Sequence, residues 1–228
     1  GEDASDPLLA VEIFQRVGFL LDERLEMPEE AIVAYERALE ENEADEDSLK
    51  ALEALYERTE AYEKLAANLR QQALHGAPEM RPELLQRIGT IEEDVLGRPE
   101  QAIDAFVELS EADPDSTEAI DALERLYTAT ENWVELGEVL NRSTSMTLDP
   151  DAQIESYRRL AKVRENRLDD SAGAIETYQQ ITNIEPGDSD ALNNLERLFA
   201  ADEQWSDFAD VLRTKLDNAD SDQRVALQ

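Results

Sequence analysis

The sequence contains no cysteine, one histidine, and only eight glycines and eight prolines among 228 residues. Without cysteine the chain has no disulfides and no thiolate chemistry, a composition that fits a reducing cytoplasm and a periplasm alike. The compartment is therefore left open, with the cytoplasm favoured. No apolar run approaches the roughly 18 residues that a membrane-spanning helix needs, so no membrane insertion is expected.

Basic residues are also scarce. Lys and Arg total 21 against 55 Asp and Glu, which gives a formal net charge of −34. Most of such a surface would repel phosphate backbones and anionic lipids, so nucleic acid is not an expected partner. Apolar residues still make up 41% of the chain, enough to bury a core.

What the sequence does contain is an internal repeat with a period of 71 to 72 residues. Several independent series of landmarks keep one phase, which chance does not explain. They include Ala31, Ala102 and Ala174; Pro7, Pro78 and Pro150; Tyr56, Tyr127 and Phe199; and Tyr62, Trp133 and Trp205.

This period predicts three copies of one unit. We place copy one at 7–77, copy two at 78–149 and copy three at 150–221, with 1–6 as a linker and 222–228 as the start of a fourth copy. The three are expected to form one continuous solenoid. We see no polar capping helix at either end, so apolar end faces and self-association through them are expected.

Each copy holds four amphipathic stretches with apolar residues at i, i+3, i+4 and i+7, the period of a helix with one buried face. The chain is therefore predicted to form about twelve helices and no strands. Pro28 and Pro99, each followed by acids, mark helix starts. Connectors such as Asp113-Pro114-Asp115-Ser116 end one helix and cap the next.

Four helices per copy make two helical hairpins, each about as long as one tetratricopeptide repeat. The first hairpin of each copy resembles that family closely. It has the family's small residue on the first helix, its alanine and aromatic on the second helix, and in two copies its closing proline. These are Gly18, Gly89 and Ala161; Ala31, Ala102 and Ala174; Tyr35, Phe106 and Tyr178; and Pro114 and Pro186.

The second hairpin of each copy departs from the family pattern. Glu53, Glu124 and Glu196 stand where glycine or alanine is usual. The resemblance covers nearly the whole chain, and it implies an all-α fold, an α-α superhelix built as a solenoid of antiparallel helical hairpins. It specifies fold better than function.

No catalytic, metal or cofactor site is predicted. The single histidine, His75, lies in a connector that the other copies do not match, so we interpret it as a solvated side chain. Acid clusters lack the spacing and central glycine of a calcium-binding loop. Trp133 and Trp205 share a position that is aromatic in every copy, and we expect both to be buried between helices.

The resemblance also implies a binding face, because the first helix of each hairpin lines a concave groove in this family. The groove is predicted to be acidic, softening towards copy three, and to bind protein or peptide partners with basic segments. An equally weighted interpretation is that these acids only keep a long surface soluble. The candidate groove residues are Glu12, Gln15, Phe19, Asp22 and Glu23 in copy one; Glu83, Gln86, Thr90, Glu93 and Asp94 in copy two; and Glu155, Arg158, Lys162, Glu165 and Asn166 in copy three.

A recurrent arginine gives a second-choice site. Arg16, Arg87 and Arg159 share one phase and could reach a ligand carboxylate. An arginine repeated in every unit more often pairs with a carboxylate on a neighbouring helix.

The leading functional hypothesis is a non-enzymatic protein–protein interaction scaffold. The alternative is a structural spacer or self-assembly module with no groove ligand. An RNA-processing helical repeat is hinted at by the run Ala34-Tyr35-Glu36-Arg37-Ala38-Leu39, but the net charge argues against RNA contact.

Overall fold

A computed structural model describes residues 7–218, and within this range every regular element is helical. Twelve α-helices follow one another, joined by short turns, so the predicted all-α class and helix number are confirmed. Their bounds are α1 Pro7–Glu23, α2 Pro28–Glu41, α3 Glu46–Arg58, α4 Tyr62–His75, α5 Arg81–Thr90, α6 Pro99–Ala112, α7 Thr117–Ala129, α8 Trp133–Met146, α9 Pro150–Asn166, α10 Ser171–Ile184, α11 Ser189–Ala201 and α12 Trp205–Asn218.

Two shorter elements flank α5. A 3-10 turn, Pro78–Met80, precedes it, and a π-helical turn, Ile91–Val95, continues it. The predicted linker 1–6, the predicted fourth copy 222–228 and the last three residues of copy three lie outside the described residues. The copy boundaries themselves stay a prediction.

The helix starts follow from local chemistry. Proline occupies the first helical position of α2, α6 and α9, where its fixed φ suits the helix and its missing N–H costs nothing. Elsewhere an aspartate caps the helix. Asp45 accepts a hydrogen bond from the Ser48 amide at 2.9 Å, and Asp188 accepts one from the Ala191 amide at 2.7 Å.

The turn inside each described hairpin contains one residue with positive φ, which lets the chain leave the first helix and enter the second. In the second hairpins an amide of the turn bonds back five residues, for example Ala61 to the Tyr56 carbonyl at 2.9 Å. The positive-φ residues are Glu26, Gly97 and Asp169 in the first hairpins, and Glu60, Glu131 and Glu203 in the second.

The helices form two compact units, and the boundary between them falls within α7, between Ala122 and Leu123. In the first unit α1 packs on α2, α3 on α4 and α5 on α6, while α2–α3 and α4–α5 contacts join successive hairpins. Leu52, Leu69, Leu85 and Ile88 are fully buried there.

In the second unit α9 packs on both α8 and α10, and α11 on both α10 and α12. Its core centres on Ala161, Ala174, Tyr178, Ile181 and Phe199, with Phe208 of α12 packed against it. No helix within residues 7–218 is both long and apolar enough to cross a membrane.

Candidate partner-binding surface

The predicted groove positions lie on α1, α5 and α9. On α1 the most prominent is Phe19, which is 51% exposed. It lines an open depression of about 420 Å³ together with Gln15, Arg16, Leu20, Tyr35 and Asp47. Asp47 was not among the predicted groove residues. It lies in the first turn of the neighbouring helix α3 and brings a carboxylate to the edge of the depression.

Two predicted groove residues of α1, Gln15 and Asp22, form hydrogen bonds with α3 or with Asp45, the residue that caps α3. The Gln15 amide donates to Asp45 Oδ2 at 2.6 Å, and the Asp22 carboxylate accepts from the Arg58 guanidinium. Glu12 forms an exposed ion pair with Arg16 at 2.6 Å on α1 itself. Asp22 is therefore largely neutralised, whereas Glu23 is exposed and makes no ion pair in the part of the chain that the structure describes.

These charges affect a neighbouring tyrosine. Burial, reinforced by the negative charges of Asp22 and Glu23, raises the pKa of Tyr35 above its ordinary value of 10.0. The same phenol forms part of the depression beside Phe19. The depression is thus lined by a tyrosine that is neutral at physiological pH, together with the cation of Arg16 and the carboxylate of Asp47.

On α5 and the turn that follows it, most predicted residues face solvent. Glu83, Gln86 and Asp94 are exposed. The Thr90 hydroxyl donates to the Gln86 carbonyl at 3.0 Å, a bond within its own helix. Glu93 is half-buried.

On α9 the predicted residues are more neutral. Arg158 pairs with the buried carboxylate of Asp188 and lies 3.7 Å from Glu155, and Glu165 pairs with Arg197 at 2.6 Å. Lys162 and Asn166 are exposed. At these α9 positions Arg158 and Glu165 are therefore held in ion pairs with α11 and its cap, and Lys162 adds a positive charge.

Two of the three recurrent arginines, Arg87 and Arg159, pair with carboxylates of another helix, whereas Arg16 pairs with Glu12 on α1. Arg87 of α5 donates to Glu53 at 2.6 Å and to Glu57 at 2.7 Å on α3, and Arg159 of α9 donates to Glu124 on α7. Burial lowers the pKa of Arg87, but its bonds to Glu53 and Glu57 outweigh that effect, so the pKa is raised and the pair stays charged. Arg87 and Arg159 were predicted as second-choice ligand-binding residues. Their guanidinium groups are already paired with carboxylates of this chain.

These pairs explain a departure from the family pattern. Glu53 and Glu124 stand where the family has a small residue, and each receives the arginine of the following copy. Glu196, the third member of the series, pairs with Lys215 of α12. Glu53 and Glu124 therefore join successive hairpins by charge, whereas Glu196 pairs within its own hairpin.

The expectation for the tryptophans was wrong. Trp205 is 61% exposed, and Trp133 is only half-buried. The guanidinium of Arg167 covers the ring of Trp133, at 4.4 Å from the ring centroid. Arg167 directly follows α9 in the next copy. Among the described residues no later helix covers Trp205, so the same sequence position has a different environment.

His75 is exposed, and no cluster of described residues could hold a metal ion.

The decisive packing feature is the contact between the small residue of the first helix and the ring of the second. A Cβ built at Gly18 would lie 2.6 Å from Tyr35, and one at Gly89 would lie 2.6 Å from Phe106, so a larger residue would force the ring or the helix to move. In copy three Ala161 is fully buried in the same core as Tyr178. The chain has the tetratricopeptide-repeat fold.

Several solved structures match this chain at low identity and low TM-score. MamA is 16% identical, with a TM-score of 0.41 over 92% of this chain and 91% of MamA. YrrB, described as a TPR protein with an unusual peptide-binding site, is 16% identical, with a TM-score of 0.37 over 98% and 97%. PilF of Pseudomonas aeruginosa is 16% identical, with a TM-score of 0.37 over 90% of each chain.

At these scores the likeness carries no weight for the fold, which rests on the packing within the hairpins. No protein-family model matches the sequence, and no curated protein matches it.

Proposed function

We propose that this chain is a non-enzymatic protein–protein interaction scaffold that binds a polypeptide segment on the face formed by α1, α3 and α5. The observation that carries the proposal is Phe19. An aromatic ring half exposed beside an open depression gives an apolar side chain of a partner a place to bury its surface. The chain itself leaves this ring uncovered within residues 7–218.

The charges around this face favour a basic segment. Glu23, Glu83 and Asp94 are exposed and make no ion pair among the described residues. They add to a formal net charge of −34, which attracts cationic peptides and raises their association rate. Asp22 contributes less, because Arg58 already neutralises it.

Peptide binding tests this proposal. A labelled peptide rich in Lys and Arg, with one Leu or Phe, is titrated by fluorescence anisotropy at low and moderate salt. Binding should weaken as salt rises, because exposed charges are screened. Phe19→Ala should weaken it roughly tenfold, since the partner then buries less apolar surface.

The matched control is Val33→Ala on α2, which removes an exposed apolar side chain away from this face and should leave binding unchanged. An acidic peptide of equal length should not bind. If Phe19→Ala binds as tightly as the unchanged chain, the groove assignment is wrong. If no polypeptide binds at any salt concentration, a structural module without a groove ligand is the better description.

A further inference from the structure

Two surface grooves, one in each compact unit, are built alike. The first is lined by α2, α3 and α4 of copy one and has a volume of about 240 Å³. The second is lined by α10, α11 and α12 of copy three and has a volume of about 270 Å³. Every residue that lines the first groove corresponds, two repeat periods later, to a residue that lines the second. The groove therefore belongs to the repeat itself.

Neighbouring helices leave this groove open. In copy one α1 packs on α2 and α5 packs on α4, yet the groove between α2, α3 and α4 remains accessible. A groove of this construction can thus face solvent with the adjoining copies in place.

The middle helix supplies the floor of each groove. All floor residues are at most 4% exposed, so an occupant would bury little further apolar surface. They are Leu49, Leu52 and Tyr56 in copy one, and Leu192, Leu195 and Phe199 in copy three. Because the floors match, the charges on the rim decide what each groove can bind.

In copy one the chain places its own cation in the groove. Lys64 of α4 lies over the ring of Tyr56, with Nζ 5.8 Å from the ring centroid, and donates to Glu36 of α2 at 2.8 Å. The Tyr56 hydroxyl also donates to Glu36, at 2.9 Å. The ammonium, the ring and the carboxylate therefore satisfy one another.

Copy three has the same groove without that cation. Asp207 stands at the position of Lys64, and Gln179 stands at the position of Glu36. None of the described residues that line this groove is basic. The place that an ammonium fills in copy one is thus bordered by a carboxylate in copy three.

The carboxylates of this rim are available to a ligand. Asp207 is exposed and makes no ion pair within residues 7–218. Asp210, one turn further along α12, pairs with Arg213 of the same helix, but the two side chains are 64% and 74% exposed. An exposed pair of this kind is weak, so a competing cation can replace it.

We propose that the groove of copy three binds a lysine or arginine side chain of a partner polypeptide, in the place that Lys64 takes in copy one. The aliphatic stem would lie over Phe199, and the charged group would bind Asp207 with Asp210 beside it. A rim that carries two carboxylates is complementary to a cation and disfavours an acidic partner. The site is separate from the face that carries Phe19.

The affinity for one side chain should be modest. Water screens the exposed carboxylates, and the buried floor adds little apolar contact. Binding should weaken as salt rises.

Charge reversal on the rim tests the proposal. A labelled lysine peptide without apolar residues is titrated by fluorescence anisotropy into the Phe19→Ala chain, at about 0.15 M salt where long-range charge effects are largely screened. Asp207→Lys gives copy three the cation that copy one already has, and it should weaken binding at least about tenfold. Asp207→Asn, which adds no cation to the first turn of α12, should weaken it about threefold.

Glu176→Lys is the matched control. It makes an equal charge reversal at an exposed acid of α10 that does not line the groove, and it should change the affinity less than about twofold. Circular dichroism confirms that each variant is folded.

A thiol reports the location of the peptide. The chain contains no cysteine, so Gln179→Cys introduces a single thiol on the rim. A peptide with a cysteine beside its lysine should form a mixed disulfide with this thiol several times faster than with Glu176→Cys, because the bound peptide has a higher effective concentration there. Adding Asp207→Lys should remove the difference.

The reverse exchange should open the groove of copy one. Glu36→Gln together with Lys64→Asp gives it the rim of copy three, and the chain should then bind a second equivalent of the lysine peptide. Lys50→Gln on α3 changes the net charge equally outside the groove and should leave the stoichiometry unchanged.

Any one of four outcomes would overturn the proposal. These are unchanged affinity in Asp207→Lys, equal loss in Asp207→Lys and Glu176→Lys, equal disulfide rates at the two thiols, and no second equivalent after the reverse exchange. Because every titration uses the Phe19→Ala chain, such a failure is distinct from a failure of peptide binding on the face formed by α1, α3 and α5.

Discussion

Gly89 lies so close to the ring of Phe106 that a Cβ at this position would be 2.6 Å from Cζ. Gly89→Ala should therefore force the ring or the helix to move and lower the free energy of unfolding by about 1–3 kcal/mol. Chemical denaturation followed by circular dichroism measures the change.

Gly137→Ala is the control for that substitution. Gly137 also lies within a helix, but a Cβ there would meet only Leu168 Cδ1, at 3.4 Å. This change should stabilise the protein by up to about 1 kcal/mol, because alanine favours helix. Equal destabilisation by both substitutions would show that the Phe106 contact is not what requires glycine.

The positive-φ turns predict a pair of opposite effects. Gly97 has φ 63°, and no atom lies within 4 Å of the place that a Cβ would take, so Gly97→Ala should cost about 1 kcal/mol through backbone strain alone. Glu131 has φ 58° in the equivalent turn of a second hairpin, and Glu131→Gly should remove similar strain. Thermal unfolding should move in opposite directions for the two variants. A lower melting temperature for Glu131→Gly would argue against strain at that turn.

Tyr56 predicts how stability depends on alkaline pH. Its hydroxyl donates to Glu36 at 2.9 Å, and burial, together with this bond, raises its pKa well above the ordinary value of 10.0. A raised folded-state pKa stabilises the fold fully below pH 10, and the stabilisation is lost as pH rises beyond that. Stability should therefore fall between about pH 10 and 11.5.

Tyr56→Phe separates this effect from other alkaline changes. It removes one hydrogen bond and should cost about 1 kcal/mol at neutral pH, yet the alkaline decline should become shallower. Melting temperatures of both chains from neutral to alkaline pH measure the difference. Tyr35 and Tyr178, whose pKa values are also raised by burial, should keep part of the slope. Parallel curves for the two chains would contradict the assignment to Tyr56.

A buried carboxylate predicts a stabilising substitution. Glu92 is buried in the π-helical turn with no hydrogen-bond partner for Oε2, and Nη1 of Arg98 lies 4.0 Å from that oxygen. Copy one has Leu21 at this position. Glu92→Leu should raise the free energy of unfolding by about 1 kcal/mol, because a desolvated charge is replaced by apolar packing. Asp94→Leu, at an exposed site of the same turn, should change it by less than about 0.5 kcal/mol.

The sequence predicts an acidic face on the first helix of each hairpin. The structure places Phe19 on α1 and Glu83 on α5, and Asp94 in the turn that follows α5. The sequence does not show that Asp22 is neutralised while Glu23 is not, because the cation that decides this, Arg58, comes from a helix 36 residues further along. Charge pairs between helices depend on side-chain distances that a repeat pattern does not contain.

By itself the sequence determined the all-α class and the number of helices, and it predicted the period, the helix starts and the positions of small and aromatic residues such as Gly18 and Tyr35. These follow from local propensity and from residues that recur at fixed spacing, so each copy carries the same information. Only the tertiary structure decided the environment of each equivalent position. Trp133 is covered and Trp205 is exposed, because burial depends on which helix packs next to a residue in space, and equal sequence positions do not have equal neighbours.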